Sequence, residues 1–110
     1  SSQMGHVGGP NRTTYCSTKF AIEGFTKSLA IELGANGIRV NSLCPTFIKT
    51  PMTEPFLKDE EFKKHVLSMI PLGRLGEISD LMGPIVFLAS DASSLMTGSS
   101  VLVDGGWTSR

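Results

Sequence analysis

The sequence predicts an α/β fold built on a parallel sheet. Helix-like and strand-like segments alternate along the chain in the order helix, strand, helix, helix, strand. The strand-like segments, residues 38–44 and Ser100–Val103, are short and apolar without a clean alternation, which is typical of parallel strands covered on both faces. This order of elements predicts right-handed crossovers between parallel strands.

The first predicted helix covers residues 15–33, where no proline interrupts the chain. Thr13 or Thr14 is expected to cap its N-terminus, because a threonine oxygen there accepts a bond from an early backbone N–H. Gly34 is expected to end it. Apolar side chains recur at helical spacing and predict an amphipathic helix: Ile22, Phe25, Leu29 and Leu33.

Two further helices are predicted between the strands, over residues 57–69 and 80–90. Ser79 is a suitable N-cap for the second of them, and Asp80 favours its first turn. Pro84 weakens that pattern, but it lies near the first turn, where its missing N–H costs less. Glycine- and proline-rich composition predicts loops between the elements.

Two strands do not complete a parallel sheet, and both are expected to lack strand partners within the chain. No G-x-G-x-x-G follows a strand, so the phosphate-binding turn of any dinucleotide site lies outside these 110 residues. The chain is therefore expected to be the C-terminal half of one doubly wound domain, with the N-terminal dinucleotide-binding half absent.

Composition excludes several classes of protein. Hydrophobic residues are 40% and charged residues 18%, which excludes a disordered chain. Ten basic residues balance ten acidic ones without a basic block, so nucleic acid is not an expected partner. No apolar run approaches the roughly 18 residues of a membrane span, and no signal peptide is expected, because the first ten residues hold no apolar stretch. Cys16 and Cys44 are expected to be free thiols in a cytoplasmic protein.

Tyr15 and Lys19 form the pattern from which chemistry is predicted. They lie four residues apart near the start of the first helix, so their side chains share one face. A free phenol is a poor acid–base group at neutral pH, but a nearby ammonium ion stabilises the phenolate. The pair is therefore suited to general acid–base catalysis. The alternative is an aromatic core residue beside a solvated lysine.

Several further segments accompany this pair. Ser2 stands thirteen residues before Tyr15 in SSQMGHVGGP, and PTFIKT follows the first strand. LASD precedes Thr97 and Gly98, and VDGG follows at the last strand. In this combination the sequence closely resembles the classical short-chain dehydrogenases/reductases. The resemblance covers all 110 residues, which correspond to the C-terminal half of a typical member.

The resemblance implies a Rossmann-type fold and an oxidoreductase that interconverts a secondary alcohol and a ketone with NAD or NADP. Ser2 would orient the substrate oxygen, and Tyr15 would exchange a proton with it. Tyr15 and Lys19 would both contact the cofactor, and Lys19 would also assist the tyrosine and bind the nicotinamide ribose. Ser1 is an alternative to Ser2, although the family spacing favours Ser2. Four residues after the first strand would hold the nicotinamide: Pro45, Thr46, Ile48 and Thr50.

The resemblance also implies a small-molecule alcohol or carbonyl substrate and a homo-oligomer, either a tetramer or a dimer. A 3-oxoacyl thioester, a sugar or polyol, and a small hydroxy compound all stay open as substrates. The family's loop usually begins Pro-Gly, whereas here Thr46 puts a side chain where backbone usually approaches the cofactor.

Two other functions are considered. A short-chain epimerase or dehydratase would share Tyr15 and Lys19, but the compact ending VDGGW argues against the larger substrate domain of those enzymes. A non-catalytic fragment would act only through association with partners. The isolated 110-residue chain is expected to be inactive as an enzyme.

The remaining candidates are weaker. His6 is expected in a surface loop, with substrate contact as the alternative, and His65 on a solvated helix face. Neither has a partner at metal-ligand spacing, so no metal is expected. Cys16 is expected to be a packed small residue. The predicted helix 57–69 is expected either to form a lid over the substrate or to present a solvated, charged face. Three apolar side chains in or beside it would line the lid: Phe56, Phe62 and Met69.

Overall fold

The computed structural model describes residues 1–109 and confirms the α/β class. A short 3-10 turn at Gln3–Gly5 precedes the first helix, and a second one, Asp91–Ser93, follows the last helix. Within residues 1–109, no helix combines the length and apolar character that crossing a bilayer requires. The main elements in chain order are α1 (Thr13–Gly34), β1 (Ser42–Pro45), α2 (Glu54–Leu57), α3 (Glu60–Met69), α4 (Ile78–Ala89) and β2 (Ser100–Val103).

The two strands pair with each other in parallel. Ser42 stands beside Ser100 and Pro45 beside Val103, and α2, α3 and α4 lie in the crossover between them. The expectation that both strands lack partners within the chain was therefore wrong. Each strand still presents one edge that no other strand covers among the described residues.

β1 begins later than the predicted segment 38–44. The side chain of Asn41 takes over the pairing just before the strand: its amide nitrogen donates to the Met96 carbonyl at 2.8 Å, and its Oδ1 accepts from the Ser99 N–H at 3.0 Å. Side-chain bonds of this kind replace a regular backbone ladder. The segment that directly precedes β1 is thus already held beside the segment that leads into β2.

α1 buries a different face from the one its apolar pattern predicts. Glu23, Thr26 and Ala30 are the buried residues of the helix, whereas Phe25 is 64% and Ile22 37% exposed. The Glu23 carboxylate accepts hydrogen bonds from strand hydroxyls, and this turns the helix so that its small and polar residues meet the sheet. Ile22 and Phe25 of the predicted stripe are therefore exposed, whereas Leu29 and Leu33 are partly buried.

The N-terminus of α1 also differs from the prediction. Thr13 and Thr14 lie inside the first turn rather than capping it. The N-cap is Arg12, whose side chain makes no capping hydrogen bond. A helix without a side-chain cap loses about 1 kcal/mol relative to a capped one.

The predicted helix 57–69 corresponds to α3, which begins three residues later than predicted and ends at Met69. The Asp59 carboxylate accepts from the backbone N–H groups of Glu61 and Phe62 at 3.0 and 3.1 Å, which starts α3 at Glu60. Aspartate is among the best N-cap residues for this reason. A separate short helix, α2, precedes it.

α4 begins earlier than the predicted cap at Ser79. The Asp80 carboxylate reaches back to accept from the Glu77 N–H at 2.8 Å, so Glu77 is the N-cap and Ser79 lies within the helix. Pro84 falls inside α4 rather than in its first turn, and the helix continues past it to Ala89.

The hydrophobic core lies where α3 meets the segment after β2. Val66, Ile70, Leu75 and Trp107 form its buried cluster. Phe47, in the loop after β1, packs against it with its ring centroid 5.8 Å from that of Trp107. Burial of each such side chain contributes about 1.5–3 kcal/mol. The core therefore fixes the loop that follows β1.

We expect residues 1–110 in isolation to associate. Large apolar side chains are exposed on two helices, among them Ile31 at 83% on α1 and Val86 at 61% on α4. The open edges of the two-stranded sheet add a second route to association. Sedimentation velocity should show species that grow with concentration. A monomer that unfolds in one cooperative transition would contradict this expectation.

Candidate active site

A cavity of about 880 Å³ lies between the N-terminal segment, the first turn of α1 and the loop after β1. Ser1 also lines it, whereas Lys19 is not among the lining residues. The cavity gathers six of the seven residues singled out from the sequence: Ser2, Tyr15, Pro45, Thr46, Ile48 and Thr50.

Ser2 is held by the 3-10 turn that follows it. Its Oγ accepts a hydrogen bond from the Met4 N–H at 3.2 Å, and the residue is 8% exposed. A hydroxyl that accepts in this way keeps its own proton for another acceptor. Ser2 is therefore arranged to donate a hydrogen bond into the cavity.

Tyr15 and Lys19 adopt the relation that their spacing predicts. Tyr15 lies in the first turn of α1 and is 46% exposed. The Lys19 Nζ lies 5.4 Å from the centroid of the tyrosine ring, within the range of a cation–π interaction. The ammonium group thus stays close to the phenol without itself lining the cavity.

The loop after β1 is fixed by threonine hydroxyl groups. The Thr53 Oγ1 donates to the Ile48 carbonyl at 2.6 Å and lies 3.2 Å from the Thr50 Oγ1. The Thr46 Oγ1 is buried and has no hydrogen-bond partner among residues 1–109. A buried hydroxyl without a partner is costly, so this atom is available for a bound group.

Two backbone hydrogen bonds with Gly76 hold the same loop from the side away from the cavity. The Lys49 N–H donates to the Gly76 carbonyl and the Gly76 N–H to the Phe47 carbonyl, both at 2.9 Å. A Cβ at Gly76 would collide with the Ile48 side chain. The glycine therefore allows the two segments to approach closely, and this keeps Ile48 on the cavity wall.

The lid interpretation fits two of its three residues. Phe56 and Phe62 line the cavity, and Phe62 also stacks edge-on against Phe47 with centroids 5.8 Å apart. Met69 packs against the core cluster and does not line the cavity. Most of the charged residues 58–64 are exposed. A lid over the cavity stays a prediction for α2 and the start of α3.

A buried carboxylate underlies the site, and sequence reasoning missed it. Glu23 is 6% exposed and accepts from the Ser42 Oγ on β1 at 2.8 Å and from the Ser100 Oγ on β2. The available signal was its spacing, because Tyr15, Lys19 and Glu23 follow one another at four-residue steps along one helix face.

Hydrogen bonding decides the charge of Glu23. Burial opposes its ionisation, but hydrogen bonds from the Ser100 and Ser42 hydroxyl groups and from the Cys44 thiol outweigh burial and lower the pKa of Glu23 from 4.5 to about 2. The group is therefore a carboxylate at neutral pH.

His6 joins this network instead of lying in a surface loop. Its Nε2 is 3.3 Å from the Cys44 Sγ and 3.6 Å from the Glu23 Oε2, and it does not line the cavity. The expected surface position was wrong, because Gln3–Gly5 folds the segment back onto α1 and β1. Contact with substrate stays without support.

His6, Glu23 and Cys44 place one potential metal-ligand atom each within 4.8 Å of one another. Spacing along the sequence did not reveal this group. Burial raises the pKa of the Cys44 thiol, which donates to the Glu23 carboxylate at 3.4 Å and stays protonated. The absence of a metal therefore stays a prediction for this group. Cys44 and the half-buried Cys16 are both free thiols, as expected.

Comparisons with known proteins cover almost the whole chain. A family profile described as enoyl-(acyl carrier protein) reductase matches residues 1–108. L-xylulose reductase of Bos taurus is 47% identical over 107 residues, which are 97% of this chain and 44% of that protein.

Solved structures also resemble the chain over its full length. A protein of Agrobacterium tumefaciens with the proposed assignment 2-deoxy-d-gluconate 3-dehydrogenase, solved with bound NADP, has a TM-score of 0.95 and 39% identity, over 100% of this chain and 45% of that one. A 4-hydroxyisoleucine dehydrogenase complexed with NADH has a TM-score of 0.94 and 35% identity, over 100% of this chain and 45% of that one. The predicted Rossmann-type α/β fold is thereby confirmed. The chain spans less than half the length of these relatives.

The Glu23 network predicts a specific pH dependence of stability. Because the pKa of Glu23 is lowered from 4.5 to about 2 in the folded protein, its contribution is full above pH 4.5 and is lost as the pH falls toward 2. The loss in free energy of unfolding is about 3 kcal/mol. Glu23→Gln should remove this part of the pH dependence, since an amide does not titrate.

Urea unfolding of the whole protein at several pH values between 2 and 6 measures this effect. Glu32→Gln, which changes an exposed glutamate of the same helix, is the matched control and should keep the wild-type dependence. Parallel stability curves for Glu23→Gln and the wild type would contradict the assignment.

Proposed function

Because the chain belongs to the classical short-chain dehydrogenase/reductase family, we propose that it is the C-terminal part of an NAD(P)-dependent oxidoreductase that interconverts a secondary alcohol and a ketone. One observation carries the proposal: Ser2 and Tyr15 share a cavity with the loop after β1, while Lys19 lies against the tyrosine ring. The relatives are more than twice as long, so the phosphate-binding turn is assigned to the part of the whole protein outside residues 1–110.

The cavity fits the nicotinamide end of the cofactor. The unpartnered Thr46 Oγ1 would bond the carboxamide, and the apolar surfaces of Pro45 and Ile48 would pack against the ring. Thr50, held by Thr53, would add a second hydroxyl. Thr46 thus supplies a donor in place of the glycine that the family usually has there. NAD or NADP, when bound, accepts or delivers the hydride.

Three side chains would handle the proton. Ser2, whose oxygen already accepts from Met4, would donate to the substrate oxygen and orient it. Tyr15 would give a proton to that oxygen in ketone reduction and take it back in alcohol oxidation. Lys19 would stabilise the phenolate by its charge and bind the ribose hydroxyl groups of the cofactor.

The proposal names the functional group that reacts and not the whole substrate. The similar proteins are named for xylulose, 2-deoxygluconate and 4-hydroxyisoleucine, which share a secondary alcohol or its ketone. We further propose a homo-oligomer, because Phe25 and Ile31 expose large apolar side chains on α1 that a partner subunit would bury. A cytoplasmic location is proposed from the two free thiols.

Removal of the proton donor should abolish most turnover. Tyr15→Phe keeps the ring and removes the hydroxyl, so kcat should fall by about 10²- to 10⁴-fold, the usual worth of general acid–base help. Ser2→Ala should also lower kcat, whereas the neighbouring Ser1→Ala serves as the matched control with little effect. Steady-state kinetics of the whole protein measure this, and cofactor affinity should be nearly unchanged in Ser2→Ala, whose hydroxyl faces the substrate.

If kcat fell in Ser1→Ala and stayed unchanged in Ser2→Ala, Ser1 rather than Ser2 would be the catalytic serine. Full activity in Tyr15→Phe would overturn the proposed chemistry.

Lys19 should set the pH at which alcohol oxidation becomes fast. In Lys19→Ala the phenolate loses its neighbouring ammonium group, so the rate should reach half its maximum at a higher pH than in the wild type. Lys27→Ala, which changes an exposed lysine of the same helix, is the control and should keep the wild-type profile. Identical profiles for Lys19→Ala and wild type would mean that Lys19 does not assist Tyr15.

A further inference from the structure

Arg12 gives the cavity its single charged side chain. The other described residues that line it are apolar or carry hydroxyl or amide groups, and none is acidic. A cavity with one cation and no carboxylate attracts an anionic ligand, since nothing within the wall neutralises the charge.

The guanidinium of Arg12 is also unlike those of the other described arginines. Arg39 donates to Ser93 and to three backbone carbonyls. Arg74 forms a bidentate pair with Asp80 at 2.7 and 2.9 Å. Arg12 is half-buried, has no ion pair within residues 1–109, and makes one long hydrogen bond of 3.4 Å to the adjacent Asn11 carbonyl. Most of its five N–H donors are therefore free.

The backbone holds Arg12 at this position. Asn11 has a φ of 56°, in the left-handed region that asparagine tolerates better than most residues. Gly9 lies beside this turn, where a Cβ would collide with Met4, at 2.6 Å from its Cε, and would be in ordinary contact with the Arg12 Cγ at 3.6 Å. The turn at Asn11, directly before the helix of the proposed catalytic tyrosine, thus places Arg12 on the cavity wall.

We propose that Arg12 binds an anionic group of the substrate, a carboxylate or a phosphate, while Ser2 and Tyr15 hold the reacting oxygen. The inference rests on the proposed function. A guanidinium pairs with either anion through two parallel hydrogen bonds. Arg12 precedes Tyr15 by three residues, about one helical turn, so the anion lies only a few bonds from the reacting carbon. The substrate class is therefore a compact oxo or hydroxy acid, or a phosphorylated sugar.

Paired substrates test this on the whole enzyme. Each short keto acid is compared with its methyl ester, and each ketose phosphate with the free ketose. Arg12→Gln should lower kcat/KM for the anionic member by about 10- to 100-fold, mainly through KM, which is the usual worth of hydrogen bonds to a charged group. The neutral member should change by less than about threefold. Whichever pair responds identifies the anion as carboxylate or phosphate.

Calorimetry separates this inference from the proposed function. The same keto acids and ketose phosphates are titrated into the wild type, Arg12→Gln and the control Lys27→Gln in the presence of NAD(P). Binding that is lost only in Arg12→Gln supports the anion site. If such binding is found but no ketone is reduced, the oxidoreductase proposal is contradicted and the anion site is not. Equal losses on both members of every pair, or anion binding that does not depend on Arg12, would overturn the inference.

Discussion

The position of the candidate site depends on one buried carboxylate. Glu23 projects from α1 and accepts hydrogen bonds from the Ser42 hydroxyl on β1 and the Ser100 hydroxyl on β2. A buried charge is tolerated only when it is hydrogen-bonded, so the helix is held in register with both strands. Tyr15 and Lys19 lie on the same helix at four-residue steps from Glu23, and their position relative to the end of β1 follows from this contact.

The other wall of the cavity is fixed by packing rather than by charge. Phe47 rests between Trp107 and Phe62, and the adjoining residues of the loop are held by Thr53 and by Gly76. Reacting groups need to be held within a fraction of an ångström, which side chains on packed elements achieve better than those on free loops. One wall thus comes from a polar network and the other from an aromatic cluster.

The placement of the candidate residues was easier to predict from the sequence than the packing around them. The Tyr15–Lys19 relation follows from helical periodicity alone, and the apolar run Ser100–Val103 forms the predicted strand. The buried face of α1 was not predictable, because the stripe with Phe25 looks like a core face unless the strand hydroxyls that bind Glu23 are known. The start of β1 was missed for a similar reason, since Asn41 pairs through its side chain with residues more than fifty positions away.

The most direct test of the account is a crystal structure of the whole protein with NAD(P) and a ketone that it reduces. The account predicts that the Ser2 Oγ and the Tyr15 hydroxyl both lie within hydrogen-bond distance of the ketone oxygen, about 2.6–3.2 Å, with Glu23 still bonded to both strands. A ketone oxygen held by other groups, with Tyr15 turned to solvent, would contradict it.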